Sequence, residues 1–164
     1  FIHRTCVTRR DPTMTTRILT PLARIAAVLL GACLCLPAWS ALTVNAGNGT
    51  VLDTTTSLVW EQCAQGLSGA TCNTGTATTF NWAAALTAAS TANTAVYKGF
   101  SDWRLPNKNE LESIVKIDSS NPAIDGTAFP ATPSSYFWTS TTFAPDPSSA
   151  WIVVFNDGDA VAGN

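Results

Sequence analysis

Histidine is almost absent from this sequence, since His3 is its single example. A Ser-His-Asp or Cys-His nucleophilic site needs an imidazole base, and zinc sites draw on histidine and cysteine. Residues 41–164 contain no histidine, so the sequence of this region excludes these classes of hydrolase. Carboxylates remain as acid–base candidates, but no spacing singles out a pair that would cleave a glycoside. We therefore expect that the protein is not an enzyme. A glycan-cleaving enzyme is the weakest alternative, and its candidate acids and bases would be Asp102, Glu110, Glu112, Asp157 and Asp159.

Methionine is equally scarce, and Met14 is the sole example. Residues 1–13 precede it, so we interpret them as upstream read-through of a gene that starts at Met14. On this interpretation His3 and Cys6 take no part in the function.

Residues 14–40 have the layout of a signal peptide, in which a basic residue is followed by an apolar run and then by small residues before the cleavage point. The apolar core, residues 25–36, is shorter than the roughly 20 residues of a spanning helix, so we predict no transmembrane helix in the mature form. Lipid attachment at Cys33 is disfavoured because the apolar run continues past it. We expect an exported protein (periplasmic, secreted or at the cell surface) with one domain over residues 41–164.

Basic side chains are rare in that domain. Four of them face ten acidic residues, so the formal charge of residues 41–164 is −6; the four are Lys98, Arg104, Lys108 and Lys116. Nucleic-acid binding needs clustered positive charge. We therefore predict no nucleic-acid partner.

Only two of the cysteines, Cys63 and Cys72, fall in the domain. Export places them in an oxidising compartment, so we predict a disulfide between them. This disulfide would close a short loop and stabilise the folded domain by about 2 to 3 kcal/mol. Two free thiols or half of a metal site are the alternatives. The domain has no further cysteine or histidine to complete a zinc shell, so we expect no metal there.

Short strands are predicted near both ends of the domain. In residues 42–60, β-branched side chains flank an Asn48-Gly49 turn, which is a strong hairpin signal. Aromatic and β-branched residues dominate two later segments, residues 136–141 and 150–155.

Two helices are predicted between these strands. Apolar side chains recur at helical spacing in residues 80–95, and Asn107 caps a second helix with three inward-facing residues: Leu111, Ile114 and Val115. Proline and glycine then break up residues 118–135 into a long ordered loop, in which Ile124 and Phe129 are expected to be buried. The fold class is α+β, with two helices packed on a mostly antiparallel sheet.

Four different motifs follow one another in a specific order and spacing, at residues 56–63, 100–111, 137–142 and 150–158. With these motifs the chain resembles the DUF1566 family, also called the Lcl C-terminal domain after a collagen-like bacterial adhesin. The resemblance implies a C-type-lectin-like architecture, related to sulfatase-modifying factors, in an exported domain used for adhesion. It also implies structural roles for the motif residues Trp60, Asp102, Trp103, Arg104, Leu105, Pro106, Glu110 and Leu111.

The chain departs from the family pattern in two ways. Family members usually continue past the Asp157-Gly158 turn into a closing strand, and we expect this chain to end before that strand, which would either leave an open sheet edge or mean that the sequence is a fragment. The adhesin binds sulfated glycosaminoglycans, which need positive charge, so that function is not transferred to a domain of formal charge −6.

Five residues are candidate ligand contacts. Trp138 and Trp151 could stack on sugar rings, although strand tryptophans more often fill a core. Asn156, Asp157 and Asp159 carry oxygen atoms that could contact a ligand, and Asp157 and Asp159 could bind calcium, which is the weaker alternative. A plain hairpin turn explains the same residues without an ion and is favoured. We expect no other cofactor.

Arg104 also has two interpretations. It could bind an acidic ligand, but a structural pairing with Asp102 or with a carboxylate at a helix end is favoured.

Together these features predict an exported, non-catalytic binding or adhesion module that recognises a glycan or a surface protein. Its ligand face would be built from the loops after Pro130 and around Asn156. The alternative is a structural or assembly domain of an envelope complex, with no small ligand, and either could form a homo-oligomer.

Overall fold

The first sheet has four antiparallel strands: β1 (His3–Thr5), β2 (Leu42–Asn45), β3 (Thr50–Asp53) and β4 (Leu58–Glu61). Their order across the sheet is β1-β4-β3-β2. The computed structural model describes residues 1–5 and 42–164. The predicted signal peptide and Cys33 lie outside the described residues.

Local hydrogen bonds fold this sheet. At the turn between β2 and β3, the Asn45 carbonyl accepts hydrogen bonds from the amides of Asn48 and Gly49, and Gly49 has a positive φ of 65°. The predicted Asn-Gly hairpin is confirmed. Between β3 and β4, the buried carboxylate of Asp53 accepts hydrogen bonds from the Thr55 amide at 2.8 Å and the Thr56 hydroxyl at 2.7 Å, which closes an Asx-type turn.

A small two-stranded sheet follows, formed by β5 (Leu67–Ser68) and β6 (Thr74–Gly75). The predicted disulfide between Cys63 and Cys72 is present and encloses β5. The two backbones come very close here, because a Cβ atom at Gly75 would lie 2.3 Å from the carbonyl oxygen of Gly66. Glycine is therefore required at this crossing.

The predicted first helix is confirmed as α1 (Trp82–Thr94). Asn81 precedes it and caps it, since its side-chain oxygen accepts a hydrogen bond from the Ala84 amide at 2.8 Å. A single turn of 3-10 helix, Tyr97–Gly99, follows.

The second helix, α2 (Lys108–Glu112), is confirmed but shorter than predicted. Asn107 and Glu110 form a complete capping box, with hydrogen bonds of 2.9 and 2.8 Å to each other's backbone amides. The prediction that Ile114 and Val115 belong to this helix was wrong. Val115 instead pairs with Ile124 in an antiparallel bridge, beside which the Lys116 amide donates to the Ala123 carbonyl at 3.0 Å.

A second antiparallel sheet contains β7 (Tyr136–Thr142), β8 (Ala150–Val154) and β9 (Ala160–Gly163), in that order. β7 and β8 agree with the predicted strands. β9, which was not predicted, follows the turn at residues 156–159 and pairs with β8.

The main core lies between the two larger sheets. It combines residues from β3, β4, α2, β8 and the loop before β7, including the fully buried Trp60, Leu111, Phe129 and Phe155. The burial predicted for Ile124 and Phe129 is confirmed, at 3% and 0% exposure. Phe1 also packs in this core, and Ile2 packs in a second cluster with Ala89 and Trp103.

The described part of the chain is thus an α+β fold with two helices and antiparallel sheets, as predicted. The strands form three separate sheets, whereas the sequence indicated one. None of the helices in residues 1–5 and 42–164 is long and apolar enough to cross a membrane.

The capping box gives the first testable prediction. In Asn107→Ala the Glu110 amide loses its side-chain acceptor, so we expect the free energy of unfolding to fall by about 1 kcal/mol. Urea denaturation measures it. Asn109→Ala, an exposed change in the same helix, is the control and should leave stability nearly unchanged; an equal loss in both variants would contradict the capping role.

Candidate functional site

An open cavity of about 460 Å³ lies beside β7 and β8 of the second sheet, next to Phe1 and Phe137 of the main core. Aromatic side chains form much of its wall, and the small residues Ala85 and Ala88 of α1 leave the space that larger side chains would fill. Its aromatic lining residues from outside residues 1–5 are Phe80, Tyr136, Phe137 and Trp138. Such a concave, mostly apolar site is the usual form of a ligand pocket.

Two tryptophans fix the position of the cavity. The indole N–H of Trp138 donates to the Phe80 carbonyl at 2.7 Å, and that of Trp82 donates to the Thr139 carbonyl at 2.9 Å. These bonds hold the segment before α1 against β7. Because Trp138 makes this contact from within the cavity wall, its indole is held in one orientation.

The loop that follows the disulfide supplies the polar side of the cavity. The amide of Thr78 donates to the Gln65 carbonyl at 2.8 Å, two residues after Cys63. Both side chains line the cavity. The disulfide therefore positions ligand-accessible groups, in addition to closing a loop.

The cavity is neutral in its side chains, and the two ends of the chain, Phe1 and Asn164, also lie at its wall. Of the described residues that line it, Tyr136 alone has a titratable side chain, and the polar groups are amides and hydroxyls from Gln65, Thr78, Thr79, Ser135 and Asn164. Aromatic faces combined with neutral side-chain donors and acceptors suit an uncharged polar ligand, and none of the described lining side chains is a carboxylate.

The two candidate tryptophans lie on opposite faces of the second sheet. Trp138 pairs with Ile152, and both line the cavity. Trp151 is the neighbour of Ile152, so its side chain points to the other face. There its ring packs edge-on against Phe143, 5.2 Å between centroids, below the Lys108 ammonium at 5.1 Å.

The candidate acidic turn is also separate from the cavity, since Asn156, Asp157 and Asp159 are exposed and none of them lines it. The Asp159 amide donates to the Asp157 carboxylate at 3.2 Å, which accounts for one oxygen within the turn itself. Residues 1–5 and 42–164 contain no group of three histidine, cysteine, aspartate or glutamate residues arranged to hold a metal.

The motif around residue 104 has the structural form that was favoured. Arg104 donates two hydrogen bonds to Glu110, at 2.8 and 2.6 Å, so its partner is the helix-end carboxylate and not Asp102. Asp102 pairs with Arg4 instead. The remaining motif residues Trp60, Trp103, Leu105, Pro106 and Leu111 are buried.

Sequence reasoning missed several cavity residues. Tyr136 is 68% exposed and lies two positions before Trp138 in the same strand, so the alternation of a predicted strand could have placed them on one face. Phe80 and Gln65 reach the cavity only through tertiary folding. His3 was excluded from the argument, yet the structure buries it beside Trp60 and Glu110.

His3 has a strongly shifted pKa. Burial lowers it first, and the Arg104 guanidinium lowers it further, while Glu110 opposes them; the result is a pKa of about 4. The imidazole is therefore neutral at pH 7. Its Nε2 lies 3.1 Å from the Glu110 carboxylate, which can only accept, so Nε2 carries the proton.

Glu110 shifts in the same direction. Burial acts to raise its pKa, but hydrogen bonds from Arg104 and the Asn107 amide, together with the charges of His3 and Arg104, outweigh burial and bring it to about 2. The carboxylate thus stays ionised throughout the physiological range.

A second polar group surrounds Glu61 of β4. The Tyr97 hydroxyl donates to its carboxylate at 2.6 Å, and the Lys98 ammonium, 3.8 Å away, donates to the Gly49 carbonyl. Burial raises the pKa of Tyr97 and lowers that of Lys98. This network fixes the turn at residues 97–99 to the edge of the first sheet.

These observations define an α+β domain of antiparallel sheets, closed by a disulfide loop and holding a neutral aromatic cavity. Residues 49–164 match the Lcl C-terminal domain, which is well over half of the chain, so the protein belongs to that family. The resemblance seen in the motifs is thereby confirmed. Comparison with curated protein sequences and with solved structures finds no match to either.

The shifted pKa of His3 predicts a pH-dependent stability. Between its ordinary value of 6.5 and about 4, the unfolded chain binds a proton that the folded chain does not. The free energy of unfolding should therefore fall as pH falls through this window, by up to about 1.4 kcal/mol per pH unit. Urea midpoints at pH 7.5, 6.0 and 5.0 measure this slope.

The control for this prediction is His3→Gln, which keeps a donor for Glu110 and cannot titrate. Burial also lowers the pKa of the Phe1 amino group, so part of the pH dependence should remain, but the stability of His3→Gln should fall less than that of the unchanged chain between pH 7.5 and 5.0. Parallel pH profiles for the two proteins would contradict a buried, neutral His3.

Proposed function

We propose that this domain is an exported, non-catalytic binding module and that it recognises a neutral glycan in the cavity beside β7. The single observation that carries the proposal is the neutral cavity walled by Trp138 and Tyr136. A C-type-lectin-like architecture is part of the same proposal. It is supported by the family membership, by the antiparallel sheets with two helices, and by the long loop of residues 118–135.

Ring stacking is the first argument. A pyranose presents an apolar C–H face and polar edges, and an aromatic side chain offers a flat apolar face for it. Tyr136 is exposed and two residues from Trp138, whose indole is held by the Phe80 carbonyl. A sugar that stacks here would find a rigid surface, which reduces the entropy lost on binding.

The polar groups give the second argument. Hydroxyls and amides from Gln65, Thr78 and Ser135 can exchange hydrogen bonds with sugar hydroxyls. No charged side chain among the described lining residues would select an acidic or a basic ligand. The formal charge of −6 over residues 41–164 also disfavours sulfated or phosphorylated glycans.

The test is a glycan array with the full chain, followed by titration of any hit. Tyr136→Ala should weaken the affinity roughly threefold to tenfold, the loss of one aromatic stacking contact. Ile117→Ala is the matched control, because Ile117 is 94% exposed and does not line the cavity; it should bind as the unchanged chain does. The glycan should be recovered uncleaved.

Three outcomes would contradict the proposal: a folded chain that binds no glycan, equal losses in Tyr136→Ala and Ile117→Ala, or cleavage of the bound glycan. Repeating the titration with calcium and with a chelator separates the acidic turn from the cavity. Binding that requires calcium and is lost in Asp157→Asn would place the ligand at the turn of residues 156–159.

A further inference from the structure

A second potential binding site lies along β4, where residues 1–5 are seated. β1 is an edge strand that pairs with β4, with His3 opposite Trp60 and Thr5 opposite Leu58. On its other side, His3 exchanges backbone hydrogen bonds of 3.0 and 2.9 Å with Arg104. The segment is thus held by backbone hydrogen bonds along both edges of a groove.

Side chains on one face of this segment fill two specific pockets of the groove, each of which is called a seat. Phe1 packs among three aromatic rings, with centroid distances of 5.3 Å to Phe129, 5.1 Å to Phe137 and 6.0 Å to Phe155. His3 stacks on Trp60 at 4.7 Å. Alternate positions therefore require an aromatic side chain and an imidazole.

The side chains on the opposite face of the segment occupy seats of a different kind. Ile2 packs in the cluster that contains Ala89 and Trp103. The Arg4 guanidinium lies 4.1 Å above the Phe100 ring and pairs with Asp102. These contacts match a basic peptide to a groove that carries the carboxylates of Asp102, Glu61 and Glu110.

The seat is not fully satisfied by its occupant. Three buried polar atoms have no hydrogen-bond partner among the residues that the structure describes, and all three belong to the β1–β4 pair: Nδ1 of His3, Nε1 of Trp60 and Oε2 of Glu61. Buried polar atoms in permanent cores are nearly always paired. Nε1 of Trp60 and Oε2 of Glu61 are therefore hydrogen-bonding groups of the groove that a bound peptide could use.

We propose that the groove between β4 and the backbone of Arg104 is a strand-binding site for an extended basic peptide of the pattern aromatic–aliphatic–histidine–arginine. Residues 1–5 occupy it in this structure. Backbone pairing supplies the affinity and the alternating seats supply the specificity, as in other cases of strand addition to a sheet edge. Under either interpretation of the N-terminal region, with residues 1–13 as read-through upstream of Met14 or with residues 1–40 removed by cleavage after Ser40, the mature domain has no covalently attached strand here. A peptide with this pattern could then occupy the groove. This proposal does not rest on the proposed glycan function, although Phe1 and Ile2 also line the cavity.

The test uses the full chain and a synthetic peptide, Phe-Ile-His-Arg-Thr, labelled at its carboxyl end. Phe1→Asp combined with His3→Asp should unseat the chain's own strand and leave the groove walls intact. We expect the peptide to bind this variant saturably, and to bind the unchanged chain at least about tenfold more weakly, because the tethered strand competes at high effective concentration.

A second peptide, Ile-Phe-Arg-His-Thr, is the matched control. It has the same composition, but exchanging neighbouring residues sends each side chain to the opposite face. It should bind the unseated variant at least about tenfold more weakly than the native order, since none of the four seats then receives its side chain. Asp102→Asn, added to the unseated variant, should weaken binding of the native peptide and reduce its dependence on salt.

Equal binding of both peptides, or no binding to a folded unseated variant, would overturn the proposal. If that variant does not fold, a specific protease site placed within residues 6–41 replaces it. After cleavage, the labelled peptide should exchange into the folded protein, and failure to exchange would show that residues 1–5 are a permanent core strand. A dimer that excess peptide dissolves would support the groove and identify a second copy as the strand donor. Glycan titration of the unchanged chain and of Asp102→Asn reports on the cavity separately, because Phe1 also lines the cavity and Asp102 does not.

Discussion

Three separated parts of the chain meet at the carboxylate of Glu110. It accepts two hydrogen bonds from Arg104, one from the Asn107 amide and one from His3. These donors belong to the segment after α1, the start of α2 and β1. A partly buried carboxylate with so many donors is strongly favoured in its ionised form, and each donor is in turn held in place. The first sheet and α2 are therefore joined through one charged group.

The cavity depends on this arrangement indirectly. Because the capping box fixes the start of α2, the Pro106 carbonyl is placed to accept a hydrogen bond from the Ser140 amide of β7, at 2.7 Å. The Lys108 amide likewise donates to the Thr141 hydroxyl at 3.0 Å. These bonds align β7 with α2. Trp138 and Tyr136, on the opposite side of the same strand, then receive a defined position.

Local chemistry made part of this structure predictable. The capping box follows from Asn107 and Glu110 three positions apart, and the hairpin from Asn48-Gly49, because each needs only neighbouring atoms. The disulfide followed from Cys63 and Cys72 being the two cysteines of the predicted mature domain. The end of α2 could not be predicted in this way, since Val115 leaves the helix to pair with Ile124. Tertiary pairing outweighs helix propensity there.

The candidate site was only half accessible from the sequence, for a related reason. Trp138 was recognised as a residue type that stacks on sugars. The residues that complete its wall, such as Phe80 and Gln65, come from a loop whose position is set by hydrogen bonds to β7 and by the disulfide. Trp151 had the same chemistry but points to the other face of the sheet. Which face a strand residue occupies depends on register with its partners.

The groove and the cavity share a wall. Phe1 and Ile2 sit in the groove and also line the cavity, next to Phe137. A glycan that touches this wall would therefore bind the strand-filled form of the domain differently from the open form. Linkage then requires the coupling to be reciprocal. If the bound strand changes the affinity for the glycan by some factor, the bound glycan changes the affinity for the strand by the same factor. A direct contact is enough for such coupling, and no conformational change elsewhere in the fold is needed.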